Sequence, residues 1–187
     1  MRAPEPVTLQ RGVVALAPWC PEHEPDLLRA AAHEDVWQWL PVPQVVDLQG
    51  LHRFRDRPRD VLFAVLYDGV AVGSTSYLDV DLSVGGLEIG ATWYRRDLWG
   101  TQINPTCKLL LLGHAFDDLG VHRVTLKTDA LNARSRAAIA KLGCRYDGTL
   151  RHWQLRSDGT VRDTAYYSLL TAEWPAARER LEARLLS

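Results

Sequence analysis

Two apolar runs, Leu62–Tyr67 and Val70–Leu78, are separated only by Asp68-Gly69. A dipeptide that accepts positive φ between two such runs marks a two-residue β-hairpin, so the chain must build an antiparallel strand pair. A third strand, Gly86–Arg95, follows across Val84-Gly85-Gly86, and Val13–Trp19 reads as an earlier one stopped by Pro18 and Pro21. Helical patterns flank this block. Glu22–His33 carries Leu27, Leu28, Ala31 and Ala32 on one stripe, and Asp47–Arg57 ends near Pro58. Asn104–Leu119 repeats apolar residues at helical spacing, with Gly120 just past its end. The remainder alternates: a β-branched strand over Arg123–Thr128, then a helix over Asn132–Leu142 with an Asn cap and Gly143 at C′. Cys144–Leu155 and Arg162–Leu170 form a long hairpin over Ser157-Asp-Gly159, and Pro175–Leu186 is a closing helix. The order β-α-α-β-β-β-α-β-α-β-β predicts one α/β domain over residues 1–187, on a mixed, mostly antiparallel sheet.

Composition narrows the function. A chain of 187 residues fits one domain at roughly 100–200 residues each. A net charge of −1 argues against a broad nucleic-acid or membrane face, while leaving room for a local basic patch. Cys20, Cys107 and Cys144 make no C-x-x-C pair, and the six histidines show no ligand spacing, so no metal is expected. The first residues lack the apolar run of a secretory signal, and no window approaches the ~18 apolar residues of a membrane span. The expectation is a soluble, cytoplasmic protein.

Strand Gly86–Arg95, loop Arg96–Ile103 and the helix from Asn104 form one unit. A helix N-terminus offers unpaired N–H groups and partial positive charge, which favour an anion. Arg95, Arg96 and Lys108 add cations there, and Gly100 lets backbone approach a ligand. The same features also suit a plain strand-to-helix connection. From the Asn132 cap, Ser135, Ala138, Ile139 and Leu142 share one helix face, so Ser135 points inward while Arg134 and Lys141 point outward. A buried serine hydroxyl needs a partner, either the carbonyl four residues back or something outside the helix.

The stretch Gly86-Leu-Glu-Ile-Gly90, Trp93-Tyr94, Leu98-Trp-Gly100, Asn132-Ala-Arg-Ser135 and Lys141-Leu-Gly143 resembles the Gcn5-related N-acetyltransferases. Arg162-Asp163-Thr, Tyr167-Ser-Leu-Leu and Glu173-Trp174 resemble the branch of ribosomal-protein N-terminal acetyltransferases of the Rim type. The resemblance covers about Val13 to Trp174 and implies transfer of acetyl from acetyl-CoA to an amine. It implies that the strand matching Glu88–Trp93 splays from its parallel neighbour, Arg123–Thr128, and offers free backbone groups at Ile89, Gly90 and Ala91 to the pantetheine arm. It implies that Trp99, Gly100, Thr101, Gln102, Ile103 and Asn104 wrap the pyrophosphate, with Asn132 also at the cofactor. The loop departs from the family pattern at Asp97 and Gln102, where Gln or Arg and a small residue are usual. Asn104 is expected to compensate by capping the helix, and Lys108 by reaching a phosphate.

The resemblance further implies an oxyanion held by a backbone N–H near Gly90 or Ala91. Glu88 stands where relatives place a proton-accepting carboxylate; otherwise it is a strand-edge glutamate in solvent. The leaving-group tyrosine of many relatives is replaced by Ile139, which cannot donate, and the Rim-type branch uses the serine matching Ser135. Asp163 reads as a second carboxylate or as a loop hydrogen bond, and His152 and Trp153 as pocket lining or core. Trp37, Trp39 and Leu40 lie where relatives bind the acceptor. Three functions compete: an acetyltransferase for a protein or peptide α-amine, one for a small-molecule amine, and a non-catalytic acyl-CoA sensor. No membrane or direct nucleic-acid partner is expected, and a homodimer is left open.

Overall fold

The computed structural model describes Met1–Leu186. Its strands are β1 (Leu9–Arg11), β2 (Val14–Pro18), β3 (Val61–Tyr67), β4 (Val70–Asp81), β5 (Gly86–Tyr94), β6 (Arg123–Asp129), β7 (Arg145–Leu155) and β8 (Val161–Leu170). They form one sheet in the order β1-β2-β3-β4-β5-β6-β8-β7. Among the described residues only β5 and β6 pair in parallel; every other neighbour is antiparallel. The α-helices are α1 (Glu24–Ala30), α2 (Leu48–Arg55), α3 (Ile103–Gly113), α4 (Ala133–Lys141) and α5 (Trp174–Leu186). The mixed, mostly antiparallel sheet predicted from the sequence is therefore observed.

The β3–β4 hairpin turns over Asp68 (φ 51°) and Gly69 (φ 79°), the left-handed pair of a type I′ turn. β1 is the one strand that the sequence pattern does not announce. It is three residues long, and its burial does not alternate.

Each face of the sheet carries its own core. On one, Phe63, Tyr77, Leu87, Ile89, Val124 and Leu126 pack with Cys107, Leu111 and Leu112 of α3, Ile139 of α4 and Leu181 of α5. On the other, Leu27, Trp37, Leu51, Phe54 and Trp93 pack together around α1 and α2. The buried Glu24 of α1 ties these two helices, accepting from His52 at 2.9 Å and Arg55 at 3.0 Å. Trp37 is thus a core residue, its ring 5.2 Å from Trp93 and 5.8 Å from Phe54.

The predicted helix over Asn104–Leu119 is corrected at its end. Regular α-helix stops at Gly113, and His114–Asp118 is a wider π turn closed by Leu119 N–H on the His114 carbonyl, five residues back. The Tyr77 hydroxyl, donating to the Leu111 carbonyl at 2.7 Å, occupies part of the ladder there. His114 lies 3.2 Å from the same hydroxyl, and desolvation lowers its pKa, as suits a packing residue.

Candidate functional site

The parallel pair is short. Gly86, Leu87 and Glu88 face Arg123, Val124 and Thr125, and beyond Glu88 the two strands no longer pair. β6 stays bonded to β8 as far as Asp129, so β5 leaves β6 and not the reverse. On its other edge β5 follows β4 through an irregularity, with Ser74 opposite Trp93 but Ser76 opposite Gly90. Ala91 sits in this bulge at φ 48°, a conformation that costs an L-residue roughly 1–2 kcal/mol. The extra residue also switches faces. Leu87 and Ile89 pack toward α3, whereas Trp93, which strict alternation would place beside them, packs toward α1 and α2. The expected splay is present, and it opens a slot lined by unpaired backbone.

Glu88 lies at the point of divergence. It is 3% exposed, which overturns the solvent-facing alternative. Its carboxylate meets Lys127 Nζ across the gap at 2.7 Å, and Lys127 also approaches Asp79 at 3.6 Å. Burial pushes the Glu88 pKa up, and Lys127 offsets this only in part. Burial would lower the Lys127 pKa, but the charge and hydrogen bond of Glu88, together with Tyr166 and Asp79, outweigh it and raise the pKa. Gly90 makes room for this arrangement, because a Cβ there would collide with the Glu88 carboxylate and with Leu78. Lys127 and Asp79 carry no local motif; only the crossing of β4, β5 and β6 brings them to Glu88.

At the far end of β5 the chain turns into α3. Gly100 has φ 79° with open space where a Cβ would stand, and Gln102 begins the helix without a side-chain cap. Two expectations are corrected here. Asn104 does not cap α3; it is already inside the first turn, where its Oδ1 accepts from Tyr94 at 3.0 Å. Lys108 does not reach outward to a phosphate. It is 6% exposed, and its ammonium donates to Thr92 Oγ1 at 3.1 Å, beneath the bulge. The reason is that α3 is buried on nearly every side, from Pro105 through Leu109, so position 108 faces the sheet.

The exposed cations at this end are instead arginines. Arg95 is held by Asp97 at 2.7 and 3.0 Å, which gives the unusual Asp97 a role inside the loop. Arg96 and Arg134 both lie over the Trp99 ring, at 4.4 and 3.5 Å from its centroid. Arg134 is exposed, as its outward reading expects, and its guanidinium reaches to the loop. Its pKa is lowered by burial and then by Arg96, as expected of two neighbouring guanidiniums. Surface cavities of about 480 Å³ flank this loop, one lined by Arg29, His33 and Arg96 and another by Thr101, Gln102 and Thr106. Neither includes Glu88 or Ser135, so the slot between strands is separate from both.

α4 begins as predicted: Asn132 Oδ1 accepts the Ser135 N–H at 3.0 Å, committing that oxygen to the cap. Ser135, Ala138, Ile139 and Leu142 form its inner face, with Ser135 half-buried. No protein hydrogen bond engages the Ser135 hydroxyl among the described residues, so the bond back along the helix is not made. Ser135 belongs to the α3 side of the sheet and Glu88, alternating with Leu87 and Ile89, to the other. They lie on opposite faces of the sheet, and no hydrogen bond joins them among the described residues. Asp163 makes a structural hydrogen bond, though within the hairpin and not to a loop, accepting from His152 N–H at 2.8 Å in the irregular stretch of β7. Cys107 and Cys144 are buried core thiols whose pKa values burial pushes up to about 12. Among the described residues no cluster of His, Cys, Asp and Glu could hold a metal, and no helix is long and apolar enough to cross a membrane.

Three comparisons bear on this geometry. YdaF of Bacillus subtilis (strain 168), provisionally named a ribosomal N-acetyltransferase, is 33% identical over 110 residues. That match spans 59% of this chain and 59% of that protein. The crystal structure of a GCN5-related N-acetyltransferase from Brucella melitensis superposes with a TM-score of 0.89 at 27% identity, covering 97% of this chain and 86% of that one. Mycobacterium smegmatis RimJ, in complex with CoA-disulfide, shares the fold with a TM-score of 0.85 at 23% identity over 98% and 97% of the two chains. Residues 14–145, most of the chain and all of the splayed pair, match the family described as "Acetyltransferase (GNAT) domain". The chain belongs to the GNAT acetyltransferase family.

Proposed function

We propose that this chain, as one acetyltransferase unit over residues 1–187, transfers an acetyl group from acetyl-CoA to a primary amine, the α-amine of a protein or peptide. The observation that carries the reading is the slot, where backbone on the bulged half of β5 is left without a strand partner beside the start of α3. Buried backbone polar groups are almost always paired, so an open strand edge inside a sheet calls for a ligand that is itself a chain of amides. Acetyl-CoA supplies that arm and, at its end, an activated acetyl thioester.

The residues divide the work. Ile89, Gly90 and Ala91 offer backbone to the arm; Trp99–Asn104 and the α3 N-terminus receive the phosphates. Arg96 and Arg134, poised over Trp99, supply positive charge at that mouth. A backbone N–H at the bulge stabilises the charge that develops on the acyl oxygen, where preorganised donors act most strongly. Glu88 accepts the proton released by the attacking amine, a task suited to a carboxyl whose pKa burial raises. Ser135 holds the proton destined for the leaving sulfur. One C–N bond forms and one C–S bond breaks, with a proton moving to each side.

The α-amine class is proposed from the relative named for ribosomal N-acetyl transfer and from the Arg162–Trp174 resemblance. Arg162 is buried and donates to the Trp39 carbonyl at 3.3 Å, joining the acceptor-side loop to the β7–β8 hairpin. The test is release of free CoA thiol from acetyl-CoA, followed with peptides bearing different first residues and with polyamines, amino acids and aminoglycosides. Turnover with N-terminal peptides is expected. Turnover only with small amines moves the acceptor class, and none with any amine alongside tight CoA binding marks a sensor.

A further inference from the structure

Lys108 is a buried cation that the mechanism above does not use. Its ammonium carries three donors, yet among the described residues it makes one hydrogen bond, to Thr92 Oγ1 at 3.1 Å. No carboxylate forms an ion pair with it there; Lys127 takes Glu88 instead. Thr92 belongs to the unpaired half of β5, and its hydroxyl also contacts Thr75 Oγ1 at 2.8 Å and the Gly90 carbonyl at 3.4 Å. A charge left this bare inside a protein is costly, so its retention needs a reason.

The mechanism lacks something of that kind. A serine hydroxyl is a far weaker acid than a thiol, whose pKa is about 8.5, so Ser135 alone is poorly matched to a departing thiolate. A fixed positive charge lowers the need for a proton, as it does for cysteine thiolates beside lysine. We propose that Lys108 supplies this charge, its ammonium lying beside the sulfur of the bound thioester beneath the β5 bulge and stabilising the thiolate as it leaves. The proposal rests on the acetyl-transfer reading. Lys108 touches Thr92 of β5, and Cys107 of α3, Cys144 after α4 and, beyond ion-pair distance, Glu88 act on its charge. Burial lowers the lysine pKa to about 8, and the opposing influence of Cys107, Cys144 and Glu88 restores it only in part.

Free CoA is a sufficient probe, and no acceptor is needed. The thiolate absorbance of CoA bound to the intact protein is titrated between pH 5 and 10, with ligand-free protein subtracted to remove Cys20. Cys107 and Cys144, with pKa values near 12, stay silent over this range. Wild type should hold the bound thiol at a pKa of about 7.5 or below, within the range seen beside lysine. Lys108→Met should return it to the value of free CoA or above while raising the melting temperature, because an uncompensated charge is removed. Lys108→Arg should keep the thiol pKa depressed, which guards against misfolding of the first variant. Equal thiol pKa values in wild type and Lys108→Met overturn the proposal. So does a Lys108→Met that unfolds while Lys108→Arg folds with an unshifted thiol. If CoA fails to bind wild type at all, the acetyl-transfer reading falls and the proposal falls with it.

Discussion

The first three residues of β5 and the six that follow live under different constraints. Gly86–Glu88 has a strand on each edge, in continuous register with β6 and paired to β4 at Gly86 and Glu88 around a β4 bulge that holds Asp79 at φ 51°. Ile89–Tyr94 is bulged and carries a positive-φ alanine, and its β6-facing edge has no strand partner. Unsatisfied buried groups gather along this second stretch: the hydroxyls of Ser74 and Ser76 on the neighbouring strand, and the Trp93 indole N–H. Groups of this kind usually cost about 1–3 kcal/mol each when left without partners. One strand is thus divided between a segment that holds the sheet together and a segment held ready for something else. Strain and unmet bonding at the second are what a binding slot looks like before its ligand arrives.

If that division is right, substitutions in the two segments should fail in different assays. The largest effect is expected at Ser135, the proton donor proposed for the open half. Ser135→Ala should lower kcat by about 10²–10⁴-fold with little change in the KM for acetyl-CoA. A loss under tenfold would mean that the serine only packs. Leu87, in the paired half, should behave in the opposite way. Leu87→Ala should cost about 2–5 kcal/mol in denaturant unfolding while the folded fraction keeps its kcat. A large kcat loss at full folding would erase the distinction between the halves.

Glu88 stands at the boundary and should show both characters. Its raised pKa predicts that kcat/KM falls as pH drops through a value above the ordinary glutamate range, because the base must be ionised to accept a proton. Glu88→Gln should be slow and lack that acidic limb; an unchanged profile would assign Glu88 to the ion pair with Lys127 alone. The smallest effect is expected at the mouth. Arg134→Ala should raise the KM for acetyl-CoA by roughly tenfold, the ~1–2 kcal/mol expected of one partly exposed charge-assisted contact. Kcat should be nearly unchanged. The loss should be smaller with a dephospho-CoA thioester if the guanidinium meets the 3′-phosphate.

The paired half was the more legible in sequence, for physical reasons. Hairpins are local, so Asp68-Gly69 and Ser157-Asp-Gly159 announced β3–β4 and β7–β8 without help from the rest of the chain. The inner face of α4 was legible because its cap, Asn132, fixes the phase from which Ser135 is counted. The start of α3 offered no such reference. It has no side-chain cap, and burial all round removes the polar face that would have told Lys108's direction. Reading Lys108 as a surface cation followed the general rule for lysine and missed the exception. Lys127 beneath Glu88, and Arg134 over Trp99, join elements far apart in sequence. No spacing encodes such contacts, and they emerge only once the sheet order is known.

The central claim is that the unpaired half of β5 is the seat of acetyl-CoA. Amide hydrogen exchange, with and without saturating acetyl-CoA, tests it most directly. The account predicts that amides within Ile89–Thr92 exchange faster than those of Gly86–Glu88 in the free protein, and that acetyl-CoA slows them selectively. Protection confined to other parts of the chain, or none at millimolar acetyl-CoA, would contradict it.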